Sequence, residues 1–223
     1  MDPLIEALRD TGCAEARHEA AAALGSIGSE QVVDALIEAL QDKEDSEVRS
    51  RAAYSLGTIG SERGVGALIE ALRDAGYPEV RKNAAAALES IGSGQAVDAL
   101  IEALRDTGCA EVRDWAAWAL AKIGSERAVD ALISRLLDTS DFELQLYAAS
   151  GLGFTRSERA VGPLVDTLHN TERASLRRDA AQALSRIGSQ QAVEALMAVL
   201  GDPDVRSYSV SGLHRICADS STA

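Results

Sequence analysis

The chain has 223 residues, a formal net charge of -13 and only 4% aromatic residues. Binding to duplex nucleic acid depends on neutralising phosphates with lysine and arginine, so this charge argues against a nucleic-acid partner. No apolar run approaches the roughly 18 residues that a membrane helix needs. Asp2 and Glu6 stand where a secretory signal would be basic. We therefore expect a protein that binds neither nucleic acid nor membrane.

A repeat of 32 residues organises the chain. Its clearest mark is a glycine that usually follows an isoleucine, at Gly28, Gly60, Gly92, Gly124 and Gly188. Arg156 occupies the one skipped position, but the residues around it keep the register. A period of this length is typical of solenoids, propellers and arrays.

Each repeat predicts a helical hairpin. Within residues 93–124, Ser93 is the expected N-cap of a first helix with apolar residues at steps of one, three and four. A loop at residues 107–109 leads to a second helix that ends at Gly124. In chain order, the pattern predicts a short first helix near residues 3–9 and hairpins at 30–59, 62–91, 94–123, 126–155, 158–187 and 190–217. These seven helical pairs predict one continuous domain, residues 1–218, with a flexible tail at 219–223.

The pattern Ser-Glu-Arg-Ala-Val-x-x-Leu-Ile, followed by Glu-Val-Arg-x-x-Ala-Ala-x-x-Leu-x-x-Ile-Gly, resembles the HEAT-like repeat family. It is most similar to the short bacterial type named after phycobilisome lyases, the PBS lyase HEAT-like repeats. The resemblance implies an all-α solenoid, a superhelix of about seven HEAT-like hairpins, in which the second helices line a concave groove.

The resemblance also implies a ladder of charge-assisted hydrogen bonds inside the stack. Its aspartates are Asp10, Asp42, Asp74, Asp106 and Asp138, and its arginines are Arg17, Arg49, Arg81, Arg113 and Arg177. We interpret these residues as structural. The ladder is interrupted where Gln145 replaces an arginine and Asn170 replaces an aspartate.

Aromatic residues mark the predicted binding face. Counted from the ladder arginine of each second helix, positions +3, +4, +7 and +10 form the buried stripe, so +1, +2, +5, +6 and +9 are predicted to point away from the core. Six of the eight aromatic residues fall in these outward columns. The partner-binding residues that we predict are Tyr54, Trp115, Trp118, Leu146, Tyr147, Phe154, Arg51, Lys82, Lys122, Arg178 and Arg186. The alternative, that the rings fold back to fill the groove, stays open.

The charges of the outward columns differ from those of the whole chain. Six cations, including Arg215, and three anions, Glu19, Asp114 and Asp179, give six minus three, or +3. This count predicts a protein partner with an acidic or neutral surface.

Signs of metal or thiol chemistry are weak. His18-Glu19 resembles the iron-binding pairs of deoxyhypusine hydroxylase, a related HEAT-like enzyme family, but Ser50-Arg51 stands in the same position of the next repeat. One pair cannot hold two irons, so we expect no metal, no cofactor and no catalytic residue. The three cysteines do not suggest a disulfide, and free thiols indicate a reducing, cytoplasmic location.

Two functions follow from these features. The first is a non-enzymatic scaffold or adaptor that binds a protein in the concave groove. The second comes from the resemblance: a phycobilin lyase-like or phycobiliprotein-handling, chaperone-like factor that binds a tetrapyrrole or its acceptor protein.

Overall fold

The computed structural model describes residues 2–10, 12–74, 76–105 and 110–220. These residues form seven pairs of α-helices and no strand. The first helices of the pairs are α1 (Asp2–Arg9), α3 (Val33–Leu40), α5 (Val65–Leu72), α7 (Gly94–Ala103), α9 (Glu126–Leu137), α11 (Val161–Asn170) and α13 (Gln190–Ala198). The second helices are α2 (Ala14–Ile27), α4 (Ser46–Ile59), α6 (Pro78–Ile91), α8 (Ala110–Ile123), α10 (Phe142–Thr155), α12 (Ala174–Ile187) and α14 (Arg206–Ser220).

The sequence predicted the helix ends well. Five of the second helices end at the predicted residues 59, 91, 123, 155 and 187. The Ser93 hydroxyl accepts a hydrogen bond of 3.2 Å from the backbone N–H of Ala96, as predicted for an N-cap. The predicted loop at 107–109 and the ladder residue Asp106 lie outside the described residues.

The chain forms two compact units, Met1–Ala119 and Leu120–Ala223, and α8 spans the boundary. In the first unit, α4 packs between α2 and α6 and also contacts α3 of its own hairpin. In the second unit, α12 packs in the same way between α10 and α14 and against α11. Leucine and alanine side chains of facing helices fill the core of each unit.

Two predictions about domain limits stay predictions: the continuous domain 1–218 and the flexible tail from residue 219. Helix α14 continues to Ser220, past the predicted start of the tail. Of the described helices, none combines the length and the apolar character needed to cross a bilayer.

In the first unit, the predicted ladder joins the first hairpin to the second and the second hairpin to the third. The Nε of Arg49 donates a hydrogen bond of 3.0 Å to the carbonyl of Leu40 in its own hairpin. The same guanidinium pairs with Asp74 of the following hairpin. Arg17 repeats this pattern one hairpin earlier, with Leu8 and Asp42. Because both arginine side chains are buried, each one fixes the position of two hairpins at once.

The ladder favours the ionised forms of Asp42 and Asp74. Burial alone raises the pKa of Asp42, but hydrogen bonds from Arg17 and from the backbone N–H groups of Glu44 and Asp45 outweigh it and lower that pKa below its usual value. The pKa of Asp74 is lowered in the same way, against burial, by the Gly76 N–H and by Arg49.

Arg156 occupies the helix-ending position at which the other repeats have glycine. The five glycines that end the other helices in this column have φ between 58° and 73°, and Arg156 has the same left-handed conformation, with φ of 51°. A residue with a Cβ is strained there by about 1–2 kcal/mol, which is why glycine usually ends a helix. The repeat register therefore overrides the local preference of arginine.

We predict that Arg156→Gly stabilises the protein by about 0.5–1 kcal/mol, the relief of strain less the greater freedom of glycine in the unfolded chain. The measurement is urea unfolding followed by circular dichroism. Arg156→Ala is the matched control, because it removes the same exposed side chain but keeps the Cβ. Equal stabilities of the two variants would contradict the assignment of strain.

Candidate functional site

The second helices carry a solvent-exposed face in each unit. Its exposed aromatic residues are Tyr54, Trp118, Tyr147, Phe154 and Tyr208, all from the columns +2, +5 and +9. Tyr54 is 66% exposed and Phe154 is 55% exposed, so neither ring fills a core. Exposed rings on one face are typical anchors of a protein interface.

One predicted column is wrong. Position +6 does not point to solvent: Ser55, Ala87, Ala119 and Ala183 are buried there. Ser55, Ala87 and Ala183 contact the preceding second helix, where a glycine at position +8 admits them. A Cβ built on Gly57 would lie 2.6 Å from the Cα of Ala87, and one on Gly153 would lie 2.7 Å from the Cα of Ala183. Second helices therefore approach so closely that column +6 is sealed between them.

Trp115 and Trp118 form one cluster in the first unit. Their ring centroids are 6.2 Å apart and the planes meet at 84°, an edge-to-face pair on a single turn of α8. Trp118 is 38% exposed, whereas Trp115 is half-buried. The pair thus presents one accessible indole supported by a second.

A small cavity lies beside Tyr54 on the same unit. It has a volume of about 280 Å³ and is lined by Ala22, Glu47, Ser50, Arg51, Tyr54, Ser55 and Asn83, from α2, α4 and α6. The Asn83 side-chain amide donates a hydrogen bond of 2.6 Å to the Ser50 hydroxyl. Sequence reasoning found Arg51 and Tyr54 but missed Ser50 and Asn83, because it counted only rings and charges on the outward columns.

The second unit presents Leu146, Tyr147 and Phe154 on α10, with Arg178 and Arg186 on α12. The Arg186 guanidinium lies 4.1 Å above the Phe154 ring centroid, a cation–π contact across neighbouring second helices. Leu146 is half-buried. Between the two arginines in sequence, burial raises the pKa of Asp179, although Arg178 and Arg186 act in the opposite direction.

The predicted positive charge of the face is partly cancelled in the first unit. The Nε of Arg51 donates a 2.8 Å hydrogen bond to Glu47, and Lys82 lies 3.4 Å from Glu79. Each glutamate lies two residues before a ladder arginine, at a position that the charge count from the sequence did not include. The other described cations of the count, Lys122, Arg178 and Arg186, belong to the second unit. The side chain of Arg215 lies outside the described residues.

His18 contacts Asp45, the N-cap residue of α4. Its Nε2 lies 3.1 Å from Asp45 Oδ2, and Asp45 caps α4 by accepting hydrogen bonds from the N–H groups of Glu47 and Val48. Over residues 2–10, 12–74, 76–105 and 110–220, no three His, Cys, Asp or Glu side chains gather as metal ligands would. Cys13 is a free, exposed thiol.

A family model described as HEAT repeats matches residues 1–77, 65–146 and 129–213. The chain belongs to the HEAT-repeat family. The overlapping matches span nearly all seven hairpins, and they agree with the helical pairs seen in both units. No curated protein matches this HEAT-repeat chain.

Two solved structures with TM-scores above 0.5 have folds similar to this chain. The complex of CpcE and CpcF of phycocyanin lyase from Nostoc sp. PCC7120 is 25% identical, with a TM-score of 0.55 over 96% of this chain and 94% of that chain. Importin beta is 15% identical, with a TM-score of 0.63 over 96% of this chain but only 35% of that chain. Importin beta therefore shows the helical solenoid fold alone.

Human deoxyhypusine hydroxylase in complex with glycerol is 23% identical, with a TM-score of 0.48 over 96% of this chain and 94% of that chain. At this level of similarity it carries no inference about iron or hydroxylation.

Proposed function

We propose that this HEAT-repeat protein is a non-enzymatic scaffold that binds a protein partner along its second-helix faces. The observation that carries the proposal is the set of exposed rings on these faces, above all Trp118 beside Trp115. Tyr54, Tyr147 and Phe154 add further anchors, and a HEAT-repeat core of alanine and leucine needs none of them for packing. Trp and Tyr are the residues that most often dominate binding energy at interfaces.

The rigidity of the face supports this role. Second helices in direct backbone approach, as at Gly57 and Gly153, hold their exposed side chains on a backbone that has little room to shift. A preorganised surface binds more tightly, because little conformational entropy is lost on association. The partner surface that suits Lys122, Arg178 and Arg186 is acidic or neutral.

We predict that Trp115→Ala combined with Trp118→Ala weakens partner capture by at least about 30-fold, since hot-spot tryptophans contribute 2 kcal/mol or more. The measurement is affinity capture from the native host with identification by mass spectrometry, followed by titration of the purified partner. Helicity by circular dichroism should stay unchanged, because Trp118 is exposed and α8 keeps its alanine and leucine core.

Met197→Ala is the matched control, because Met197 is a large exposed apolar residue on α13, a first helix. It should leave capture unchanged. Equal capture by all three proteins would remove the anchor role of the tryptophans, and loss of helicity in the double variant would mean that the rings serve packing instead.

A second candidate is a phycobilin lyase-like or phycobiliprotein-handling factor. The likeness to the CpcE and CpcF complex, over nearly the full length of both chains, favours it specifically. In this role the exposed rings would stack on a tetrapyrrole or contact its acceptor protein, and Arg178 and Arg186 would pair with propionates.

Titration with phycocyanobilin separates the two candidates. The scaffold function predicts no change in the visible absorbance of the bilin up to saturating protein. A red-shifted, saturable spectrum that Arg178→Gln and Arg186→Gln together abolish would instead establish the tetrapyrrole role and remove the scaffold as the primary function.

A further inference from the structure

The hairpin of α13 and α14, in the second unit, has an apolar face that no described residue covers. On this α13–α14 face, Val193 and Leu200 are half-buried and Val210 is 50% exposed. The counterparts of these residues in the preceding hairpin are Val161, Leu168 and Ala181. Those three are at most 2% exposed, and the same columns are buried in every hairpin from α3 to α10. The difference is that a further hairpin packs on each of the earlier ones.

The hairpin of α1 and α2, in the first unit, is uncovered on its opposite side. On this α1–α2 face, Leu4 and Ala23 are half-buried. Their counterparts in the following hairpin, Leu36 and Ser55, are at most 1% exposed. Ala23 lies in column +6, the column that other second helices bury against the second helix before them. The α1–α2 face is therefore the side that, in other repeats, packs on a preceding hairpin.

Both faces keep the residue types that pack between hairpins inside the stack. A repeat that closes a solenoid needs a polar outer face to stay soluble. Leucine, valine and alanine in these columns instead leave apolar area open to solvent, which is typical of an interaction surface. The two faces match each other, because each one has the side of a hairpin that the other lacks.

The arginine ladder has an open position on the α13–α14 face. The Nε of Arg206 donates a hydrogen bond of 3.0 Å to the carbonyl of Leu200 in its own hairpin, as the Nε of Arg49 does to Leu40. One hairpin earlier, Arg177 also pairs with Asp204 of the next hairpin. Arg206 is exposed and forms no ion pair with any residue that the structure describes. Its guanidinium is thus placed for a rung that lacks an aspartate.

The matching open position is Asp10, on the α1–α2 face. Its Oδ1 accepts a hydrogen bond of 2.9 Å from the Gly12 N–H, as the Oδ1 of Asp74 does from Gly76. The Oδ2 of Asp74 binds Arg49 of the preceding hairpin. Asp10 is exposed, and its Oδ2 receives no hydrogen bond from the described part of the chain. The carboxylate therefore has the ladder geometry without an arginine to pair with.

We infer that the two faces bind each other, so that the protein associates head to tail with a second copy of itself. The α1–α2 face of one copy packs on the α13–α14 face of the other as a following hairpin does, and Asp10 completes the rung of Arg206. Charge selects this arrangement over contact between two α13–α14 faces, which would bring two copies of Arg206 together. Such an interface is heterologous, so each copy keeps one face free for a further copy.

The test is analytical ultracentrifugation of the full chain from micromolar to millimolar concentration. The weight-average mass should rise above that of a single chain as the concentration increases. Arg206→Gln should weaken association about tenfold, because a charge-assisted hydrogen bond is lost. Arg63→Gln is the matched control, because Arg63 is an exposed arginine paired with Asp34 inside the first unit. It should associate as the wild type does.

A wild-type chain that stays monomeric over the whole range overturns the inference. Equal association constants for Arg206→Gln and the wild type overturn it as well, because the rung would then not form between copies.

Two variants that each block one face test the direction of association. Val210→Asp places a carboxylate on the α13–α14 face, and Ala23→Arg places a long side chain in the closely packed column of the α1–α2 face. Both positions are accessible in the single chain, so helicity by circular dichroism should be unchanged. Each variant alone should be monomeric. An equimolar mixture should form a dimer and nothing larger, because one intact face of each kind remains.

Self-association of either folded variant alone contradicts head-to-tail contact, since it shows that two like faces bind each other. A mixture that remains monomeric contradicts it too.

Discussion

A buried arginine that contacts two hairpins is the interaction on which this architecture depends. Arg17 and Arg49 each donate a hydrogen bond to a carbonyl in the last turn of their own first helix and pair with an aspartate of the next hairpin. A helical hairpin cannot bury its apolar faces alone and must stack on its neighbours. Apolar packing drives that stacking but is tolerant of sliding, whereas a directional, charge-assisted hydrogen bond is not. The ladder thus fixes the register between hairpins.

Register in turn decides which side chains reach solvent. With the hairpins held in register, position +8 of one second helix meets position +6 of the next, and glycine admits the contact at Gly57 and Gly153. Columns +2, +5 and +9 then stay open, and these are the columns that carry the exposed rings. One structural device, the arginine ladder, thereby sets which columns form the proposed protein-binding face.

The sequence predicts this fold well because its signals are local and repeated. The glycine column predicted the second-helix ends, and even Arg156 follows the repeat rather than its own preference. The site is predicted less well, because it depends on contacts between neighbouring helices. The prediction that column +6 is exposed is wrong, because a helical wheel treats each helix alone. The distance between second helices depends instead on small residues of two different hairpins. The ion pair between Arg51 and Glu47 was missed for a related reason, because Glu47 lies outside the columns in which the charges were counted.

Unfolding as a function of pH tests the ladder most directly, with Asp42→Asn combined with Asp74→Asn compared to the wild type. Their pKa values are lowered in the folded state, so their contribution is complete above the unfolded value of about 3.9 and is lost as the pH falls through the folded values. At pH 7 the double variant should be about 3 kcal/mol less stable, and the difference should shrink below pH 4. Asp34→Asn with Asp130→Asn removes two exposed ion pairs, to Arg63 and Arg159, and should cost less than about 1 kcal/mol. If the two double variants are equally stable, or if the loss from the first is the same at pH 7 and pH 3, the ladder does not hold the hairpins together.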